Sequence, residues 1–309
     1  MTPGMDDNSE LRLVGIFVMF VLGLITFSLL VVNLSDYDSL DSNNILGRET
    51  FTDDYHFGRF MDDEALVKSL KLTMLKHPTD TTEHITNKPI RSKIDFLLWS
   101  VMGKKVNGVF MDFGAGDGIR YSRTLWLEET KNWNGILIEA NPLMKPRLNE
   151  SGRKAKIFSS CLGLQKYPYI GALGLRSNYG SRLLDDDWII YETIVDVDCY
   201  PMYTYFLAAG YKSVDLLVLD INGREINALK TTPWSKVDIK ALLVRYVTRD
   251  DVTEIVNYLT KESRILYEFV YYVESISTYL YFVQSDIFRK YKQQDKRGDR
   301  DKRTSRFPE

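Results

Sequence analysis

The stretch Asp112–Ser122 reads DFGAGDGIRYS, follows the apolar run VFM, and has the composition of a glycine-rich turn at the end of a β-strand. Gly114 and Gly116 permit positive φ angles and a close approach of the backbone that a Cβ atom would obstruct. The helix predicted after the turn begins with unpaired N–H groups and the positive end of a dipole. The turn therefore indicates a site for an anionic group of a ligand.

The residues around this turn alternate between short β-type runs and helical runs. GVFMDF, GILIEA and KIFSSC have the composition of strands, and helical patterns separate them. Further along, VDLLVLDI and IKALLVRYV are continuous apolar runs, typical of strands that are covered on both faces. The alternation predicts βαβ units, and hence an α/β fold with a doubly wound parallel sheet.

Other elements are predicted from their composition and end signals. ILYEFVYYV and TYLYFVQ are aromatic and joined by ESIS, which predicts a terminal antiparallel hairpin at the sheet edge. YPMYTYFLAAG predicts a helix with Gly210 as its C-cap, and Asp250 or Asp251 is expected to cap the next helix. The segment QKYPYIGALGLRSNYGSRLLDDDW is expected to be a loop that either covers a substrate or packs on the surface.

Ligands of open α/β sheets bind beyond the carboxyl ends of the strands, where the glycine turn lies. Glu139 ends the second strand, GILIEA, and an acidic side chain there can accept hydrogen bonds from both ribose hydroxyls of an adenosine cofactor. Ile119 stands where the dinucleotide motif G-x-G-x-x-G has its third glycine, which argues against NAD. The pattern favours a nucleoside-cofactor cleft, and the alternative is a turn that only connects a strand to a helix.

Two motifs resemble one family closely. The run GVFMDFGAGDGIRYSRTLWLEETKNWNGILIEANP resembles the FkbM-type methyltransferase domain, and VDLLVLDINGREINALK resembles a later motif of the same family. The likeness covers about Ser92 to Gln284. It implies a Rossmann-like class I methyltransferase domain over residues 108–288, with S-adenosylmethionine as its cofactor.

The resemblance also implies roles for particular residues. Asp220, which ends the fourth strand, would face the methyl-transfer centre, and Glu225 would be a second catalytic acid or else a solvated surface acid. Apart from the resemblance, His84, in a loop before the domain, could reach the cleft as a base or else be an exposed loop residue. The residues expected around the ribose and methionine end of the cofactor are Asp112, Gly114, Gly116, Asp117, Ser122 and Glu139.

Three positions depart from the family pattern. Arg123 replaces the usual Asn of S-N-T, Asn222 replaces the acid of D-I-E-G, and Arg245 stands where the strand commonly ends in Glu. Losing a carboxylate and gaining an arginine changes the charge where a base or a sulfonium partner would lie. These departures leave open whether the cleft still supports chemistry.

A separate signal lies near the start of the chain. Leu13 to Val32 is an apolar run without charges that is long enough to cross a bilayer, with a cleaved signal peptide and a buried helix as alternatives. We expect a short tail over residues 1–12, a transmembrane helix over 13–32, a polar stalk over 33–52 and a helical lead-in over 53–107. The lead-in includes an amphipathic helix over Asp62 to Met74.

The flanks of the apolar run carry few Lys or Arg residues, so the positive-inside rule hardly favours either orientation. The acidic residues after the run favour a cytosolic tail and a translocated domain, which is a type II orientation. Of the sequons at Asn33 and Asn149, only Asn149 lies far enough from the bilayer to be a credible acceptor. Cys161 and Cys199 either pair as a disulfide in a luminal domain or are plain apolar core residues.

An anchor followed by this domain further resembles the membrane-anchored Star-like subgroup of arthropod proteins. That resemblance implies a factor for trafficking membrane cargo, such as growth-factor precursors, through the endoplasmic reticulum, Golgi and late endosome, with the plasma membrane as a further location. The expected partners are the lipid bilayer and a membrane-bound cargo protein. The alternative is an active membrane-anchored O-methyltransferase acting on a sugar or another hydroxyl substrate.

Composition excludes some classes of protein. The formal net charge is −2 over 309 residues, whereas nucleic-acid binders usually carry a basic surface. Nucleic acid is therefore not expected as a partner. Three scattered histidines and two cysteines have no metal-ligand spacing, so no metal site is expected. The charged tail over residues 289–309 is expected to be disordered.

Overall fold

The computed structural model describes residues 59–74, 98–102, 104–175, 180–184, 191, 193–263, 265–273 and 278–293. All of them belong to the unit Phe51–Glu309. The predicted span Leu13 to Val32, the stalk and His84 lie outside the described residues. Within the described part of the chain, no helix combines the length and the apolar character needed to cross a membrane.

Strands form two sheets, and helices connect them. The strands are, in chain order, β1 (Val109–Phe113), β2 (Asn134–Ile138), β3 (Lys156–Phe158), β4 (Cys161–Leu162), β5 (Tyr169–Leu175), β6 (Arg182–Leu183), β7 (Thr193–Tyr200), β8 (Ser213–Leu219), β9 (Asp238–Arg245), β10 (Tyr267–Val273) and β11 (Tyr279–Gln284). The helices among the described residues include α1 (Glu64–Thr73), α2 (Leu125–Lys131), α3 (Lys145–Asn149), α4 (Met202–Ala209), α5 (Glu225–Thr231) and α6 (Arg249–Asn257), which continues into a π-helical turn at Tyr258–Glu262.

The larger sheet has the strand order β3-β2-β1-β8-β9-β11-β10. The pairs from β3 through β9 are parallel, and β11 runs antiparallel to both β9 and β10. The predicted parallel sheet and terminal hairpin are therefore confirmed. This parallel-dominant order is that of a Rossmann-like methyltransferase fold, and β1 lies at the point where the strand order reverses.

The apolar strands are buried on both faces, as their continuous hydrophobic runs predict. Along β1, Phe110 packs into one core cluster, whereas Met111 and Phe113 pack into the other. Leu216 and Leu217 of β8 divide between the same two clusters. The period of two in a strand sends neighbouring side chains to opposite faces, so helices can cover both sides of the sheet.

The end of the chain differs from the prediction. Residues 285–293 are helical, so the predicted disordered tail does not begin at Arg289. Ile287, Phe288 and Tyr291 pack against the core cluster that contains Phe110. Apolar residues three or four apart lie on one face of a helix, and burying that face stabilises the helix against the sheet.

The segment predicted to be a loop between the third and fourth strands contains β5 and β6. With β4 and β7 they form a second sheet in the order β4-β7-β5-β6. Glycines permit the close packing in this sheet, since a Cβ atom at Gly171 would lie 2.7 Å from the Cys199 sulfur and one at Gly174 would lie 2.4 Å from the ring of Tyr191. The predicted loop is therefore wrong over these residues.

The two cysteines lie opposite each other in this second sheet. Cys161 of β4 and Cys199 of β7 are register partners, 4.4 Å apart at Cα, and form a disulfide. Both residues are also buried in an apolar cluster. Of the two interpretations that the sequence left open, the structure has the disulfide.

Helix ends follow local hydrogen bonding. Gly210 ends α4 with a φ of 76°, which confirms the predicted C-cap. The cap of α6 is Thr248 rather than Asp250 or Asp251, and the Asp251 side chain accepts from the Thr248 backbone in a capping box. Thr248 precedes the helix by one position, and there its hydroxyl can reach the N–H of Asp251.

Candidate functional site

The glycine turn after β1 is held between the ends of two neighbouring strands. The backbone N–H groups of Gly114 and Ala115 donate to the carbonyl oxygen of Ile138, at 2.9 and 3.2 Å. Gly114 has a φ of 86°, and a Cβ atom built on it would lie only 1.9 Å from the carbonyl oxygen of Asp220. Glycine is therefore required at Gly114 by both its conformation and its contact with the end of β8.

A cavity of about 310 Å³ opens at the carboxyl ends of β1, β2 and β8. Most of the residues predicted for the site line it. Those predicted residues are Asp112, Gly114, Gly116, Ser122, Glu139 and Asp220. Asp117 and Glu225 are not among the lining residues, whereas Arg123, Asn222 and Arg245 are.

Glu139 is half-buried at the end of β2 and faces this cavity. Its Oε2 accepts from the N–H of Gly116 and its Oε1 from the N–H of Asn141, both at 2.7 Å. Burial raises the pKa of the Glu139 carboxyl. A carboxylate oxygen has two lone-pair sites, so each oxygen can accept a further hydrogen bond from a ligand hydroxyl.

Asp112 lies at the floor of the cavity and is 4% exposed. Its Oδ2 accepts from the hydroxyl of Thr124 at 2.7 Å, and burial raises the pKa of its carboxyl to about 6. This contact ties β1 to the start of α2. Asp112 therefore supports the turn as well as lining the cavity.

Asp117 and Ser122 shape the backbone between the turn and α2. Oδ1 of Asp117 accepts from the N–H groups of Ile119 and Arg120, at 2.9 and 2.7 Å. Oγ of Ser122 accepts from the N–H of Leu125 at 3.1 Å. Both side chains therefore accept hydrogen bonds from backbone N–H groups near the helix start that have no partner within the helix. Of the two, only Ser122 also lines the cavity.

Arg153 supports the turn from beneath and was not singled out from the sequence. It is 1% exposed, and its Nη1 donates to the carbonyl oxygen of Gly118 at 2.6 Å and to Oγ of Ser122 at 3.1 Å. Its Nη2 donates to the Thr124 hydroxyl at 2.9 Å, and its Nε lies 3.2 Å from a carboxylate oxygen of Glu128. No sequence pattern marks Arg153, because its partners are distant in the chain.

Asp220 is held by two partners at the carboxyl end of β8. Nη1 of Arg245 donates to its Oδ1 at 3.0 Å, and the hydroxyl of Tyr279 donates to its Oδ2 at 2.5 Å. Nη1 of Arg245 also donates to Oδ1 of Asn222 at 3.0 Å, and Nδ2 of Asn222 donates to the carbonyl oxygen of Gly180 at 2.7 Å. Two departures from the family pattern, Asn222 and Arg245, thus belong to one network.

Glu225 is the first residue of α5, directly after the turn that follows β8, and it is 2% exposed. Its carboxylate accepts from the N–H groups of Ile221 and Gly223, both at 2.9 Å. Burial raises the pKa of its carboxyl to about 7. The interpretation of Glu225 as a solvated surface acid is therefore wrong, and its contacts are those of a residue that closes a turn.

Among the described residues, no group of His, Cys, Asp and Glu side chains could hold a metal ion.

No family model matches the chain, and no curated protein matches it. The solved structures that resemble it include methyltransferase FkbM from Methylobacillus flagellatus, with 16% identity and a TM-score of 0.39 over 57% of this chain. The chain covers 43% of that FkbM chain. Precorrin-6y C5,15-methyltransferase from Geobacter metallireducens is 10% identical, with a TM-score of 0.38 over 63% of this chain and 90% of its own.

TrmK of M. capricolum, solved with its cofactor product S-adenosyl-homocysteine, is 12% identical with a TM-score of 0.32, and the match covers 62% of this chain and 68% of that one. The strand order of the larger sheet carries the fold assignment, and the described part of the chain has the Rossmann-like methyltransferase fold.

Proposed function

We propose that the cleft binds S-adenosylmethionine and that the domain is a methyltransferase acting on a hydroxyl group of its substrate. One observation carries the proposal: a glycine turn that tolerates no Cβ atom at Gly114 lies beside the Glu139 carboxylate in the same cavity. A turn that only connects a strand to a helix has no need of a half-buried acid facing a cavity.

The residues present fit this cofactor. The cavity of about 310 Å³ lies at the lower end of the volumes usual for small-molecule sites, which are roughly 300–1,000 Å³. Glu139 can accept the ribose hydroxyls, and the Gly114–Gly116 backbone permits a close approach to the amino-acid end. When bound, S-adenosylmethionine supplies an electrophilic methyl group.

The protein's own contribution to the chemistry would centre on Asp220. It lies on the cavity wall next to the glycine turn, and each of its oxygens keeps a lone pair after accepting from Arg245 or Tyr279. Asp220 can therefore accept the proton of an acceptor hydroxyl. The Arg245 guanidinium beside it can stabilise negative charge that develops on the acceptor oxygen.

A second function is favoured by the same network. Because Asp220 is already bound by Arg245 and Tyr279, its carboxylate is compensated before any substrate arrives. We propose as the alternative that the domain is a binding module of a Star-like, single-pass membrane protein in the secretory and endosomal system. In that function it would recruit membrane-bound cargo, such as growth-factor precursors, with Leu13 to Val32 as its bilayer anchor.

Calorimetric titration of S-adenosylmethionine and S-adenosylhomocysteine into the purified full-length protein tests cofactor binding. We expect saturable binding to the wild type and its loss in Glu139→Ala. The matched control is Glu268→Ala, which removes an exposed acid on β10 and should leave binding unchanged. Absence of binding to the wild type, with a cooperative melting transition showing that it is folded, would overturn the proposal.

Release of S-adenosylhomocysteine distinguishes the two functions without knowledge of the acceptor. The protein is incubated with S-adenosylmethionine and a detergent extract of cell membranes as the source of acceptors. A methyltransferase releases the demethylated product, and Glu139→Ala abolishes its release. Cofactor binding without product release would favour the binding module.

A further inference from the structure

The cleft has two chemically different halves. Near β2, β3 and the second sheet its wall is mostly apolar, with the uncharged polar residues Asn141, Ser160 and Ser181. Near β1, β8 and β9 it carries charged side chains. The apolar half includes Ile138, Met144, Leu162, Leu173 and Leu183. The charged half includes Asp112, Arg123, Asp220 and Arg245.

This division orients a ligand that has an aromatic base at one end and an amino acid at the other. Glu139 ends β2, between the two halves, and can hold the ribose that joins those ends. Burying a base against apolar side chains is favourable, whereas a charged amino-acid group needs ionic partners. The amino-acid end therefore belongs in the half that contains Arg123.

Arg123 differs from the other cavity-lining arginines in its partners. Arg245 is paired with Asp220, and Arg120 lies exposed at the rim. Within the described ranges, no carboxylate forms an ion pair with Arg123. Its guanidinium lies over the ring of Tyr279, 4.9 Å from the centroid, and the Tyr279 hydroxyl is itself bound to Asp220.

We propose that Arg123 binds the α-carboxylate of the amino-acid end of the cofactor, an inference that rests on the proposed function. The cation–π contact with Tyr279 restrains the position of the guanidinium, whose N–H donors lie in its plane. A planar fork of this kind matches a carboxylate, with two parallel hydrogen bonds. Arg123 thus gives the cleft a reason to prefer an amino-acid cofactor over adenosine alone.

The test compares S-adenosylmethionine with decarboxylated S-adenosylmethionine, which differs from it only in lacking that carboxylate. Affinities are measured by calorimetry on the purified full-length protein. A hydrogen-bonded charged group contributes about tenfold to hundredfold in affinity. We expect the wild type to prefer S-adenosylmethionine by that factor.

Arg123→Gln should remove the preference by weakening S-adenosylmethionine alone, leaving the affinity for the decarboxylated compound unchanged. Retained binding of the decarboxylated compound also shows that the variant is folded. Arg147→Gln is the matched control, because it removes an exposed arginine on α3 that does not line the cavity, and it should keep the full preference.

A preference that survives Arg123→Gln would overturn the proposal while leaving cofactor binding intact. A wild type that binds neither compound would instead overturn the proposed function, and the inference with it. If Arg123→Gln does not fold, Arg123→Lys decides, since an ammonium keeps the charge without the planar fork. A reduced preference in Arg123→Lys would support the proposal, and an unchanged one would contradict it.

Discussion

Gly114 occupies the most constrained position in the cleft, because its missing Cβ makes room for the end of β8. Its φ of 86° is one that other residues adopt at a cost, and the Asp220 carbonyl oxygen would lie 1.9 Å from an added Cβ atom. Gly210 offers a comparison, since its φ of 76° is similar but nothing lies within 4 Å of the atom that would be added.

We predict that Gly114→Ala lowers the free energy of unfolding by more than about 3 kcal/mol. The loss has two causes, the cost of a positive φ for alanine and the clash of the new Cβ atom with the backbone of β8. Gly210→Ala should cost only about 1–2 kcal/mol, because it introduces the conformational strain alone. Urea denaturation of both variants measures the difference. Equal losses would show that the turn can move away from β8.

Asp112 makes stability depend on pH in a direction opposite to that of most carboxylates. Burial raises its pKa from 3.8 to about 6, so between these pH values the folded state holds a proton that the unfolded chain has released. Folded protein therefore binds more protons than unfolded chain in this window. The contribution of Asp112 to stability is fully present below pH 3.8 and is lost as pH rises through about 6.

The amide of Asp112→Asn cannot titrate, so the variant should not lose this contribution to stability as the pH rises. From pH 4.5 to 7.5, we expect the free energy of unfolding of the wild type to fall by about 2 kcal/mol relative to that of the variant. Urea denaturation of both proteins at the two pH values measures this change. Glu225 titrates in both proteins and cancels in the comparison, so parallel pH profiles would contradict the prediction.

Among the elements, the second sheet depends on a covalent link as well as on hydrogen bonds. The two residues of β4 pair with β7, and the disulfide between Cys161 and Cys199 joins these strands across 38 residues of sequence. Cys161 also lines the cavity. The disulfide therefore fixes β4, which directly follows β3, to the strand β7 of the second sheet, whose residues form part of the apolar half of the cleft.

Reduction of this disulfide should destabilise the domain by about 4 kcal/mol, the loop-closure value for a link of this span. Guanidinium denaturation with and without a reductant measures the change. The matched control is the double variant Cys161→Ala, Cys199→Ala, which should be less stable than the oxidised wild type and insensitive to the reductant. A reductant effect that persists in this variant would have another cause.

For the whole molecule, the disulfide supports the proposal that the domain faces an oxidising compartment, as a type II orientation requires. Asn149 agrees with that orientation, because it lies exposed at the end of α3 and begins the sequon NES. We predict that the protein made in animal cells carries a glycan at Asn149. Its domain should also resist protease in sealed microsomes.

Asn149→Gln should abolish the mobility shift that a glycosidase produces, whereas Asn33→Gln should not. Ser151→Ala is a second disruption of the same sequon. If the domain is digested by protease in intact microsomes, it faces the cytosol and the proposed orientation fails.

Sequence alone determined the parallel sheet, its terminal hairpin, the glycine turn and the neighbouring acid Glu139. The sheet, the hairpin and the turn depend on hydrophobic periodicity and on neighbouring residues, so the local pattern predicts them. Glu139 is predicted from its position at the end of the second parallel strand, beside the turn that ends the first. The sequence also marked Asn222 and Arg245 as departures, but not as members of one network.

Only the tertiary structure decided which side chains meet. Several contacts join residues that lie far apart in the chain. They are those of Arg153 with the glycine turn, those of Arg245 and Tyr279 with Asp220, the disulfide between Cys161 and Cys199, and the pairing of strands in the second sheet. Such contacts form because folding buries polar groups that must then find partners, and nothing in the local sequence names the partner. Glu225, for which the sequence left a catalytic acid and a surface acid open, is buried at the start of α5, outside the residues that line the cavity, and accepts from two backbone N–H groups of the preceding turn.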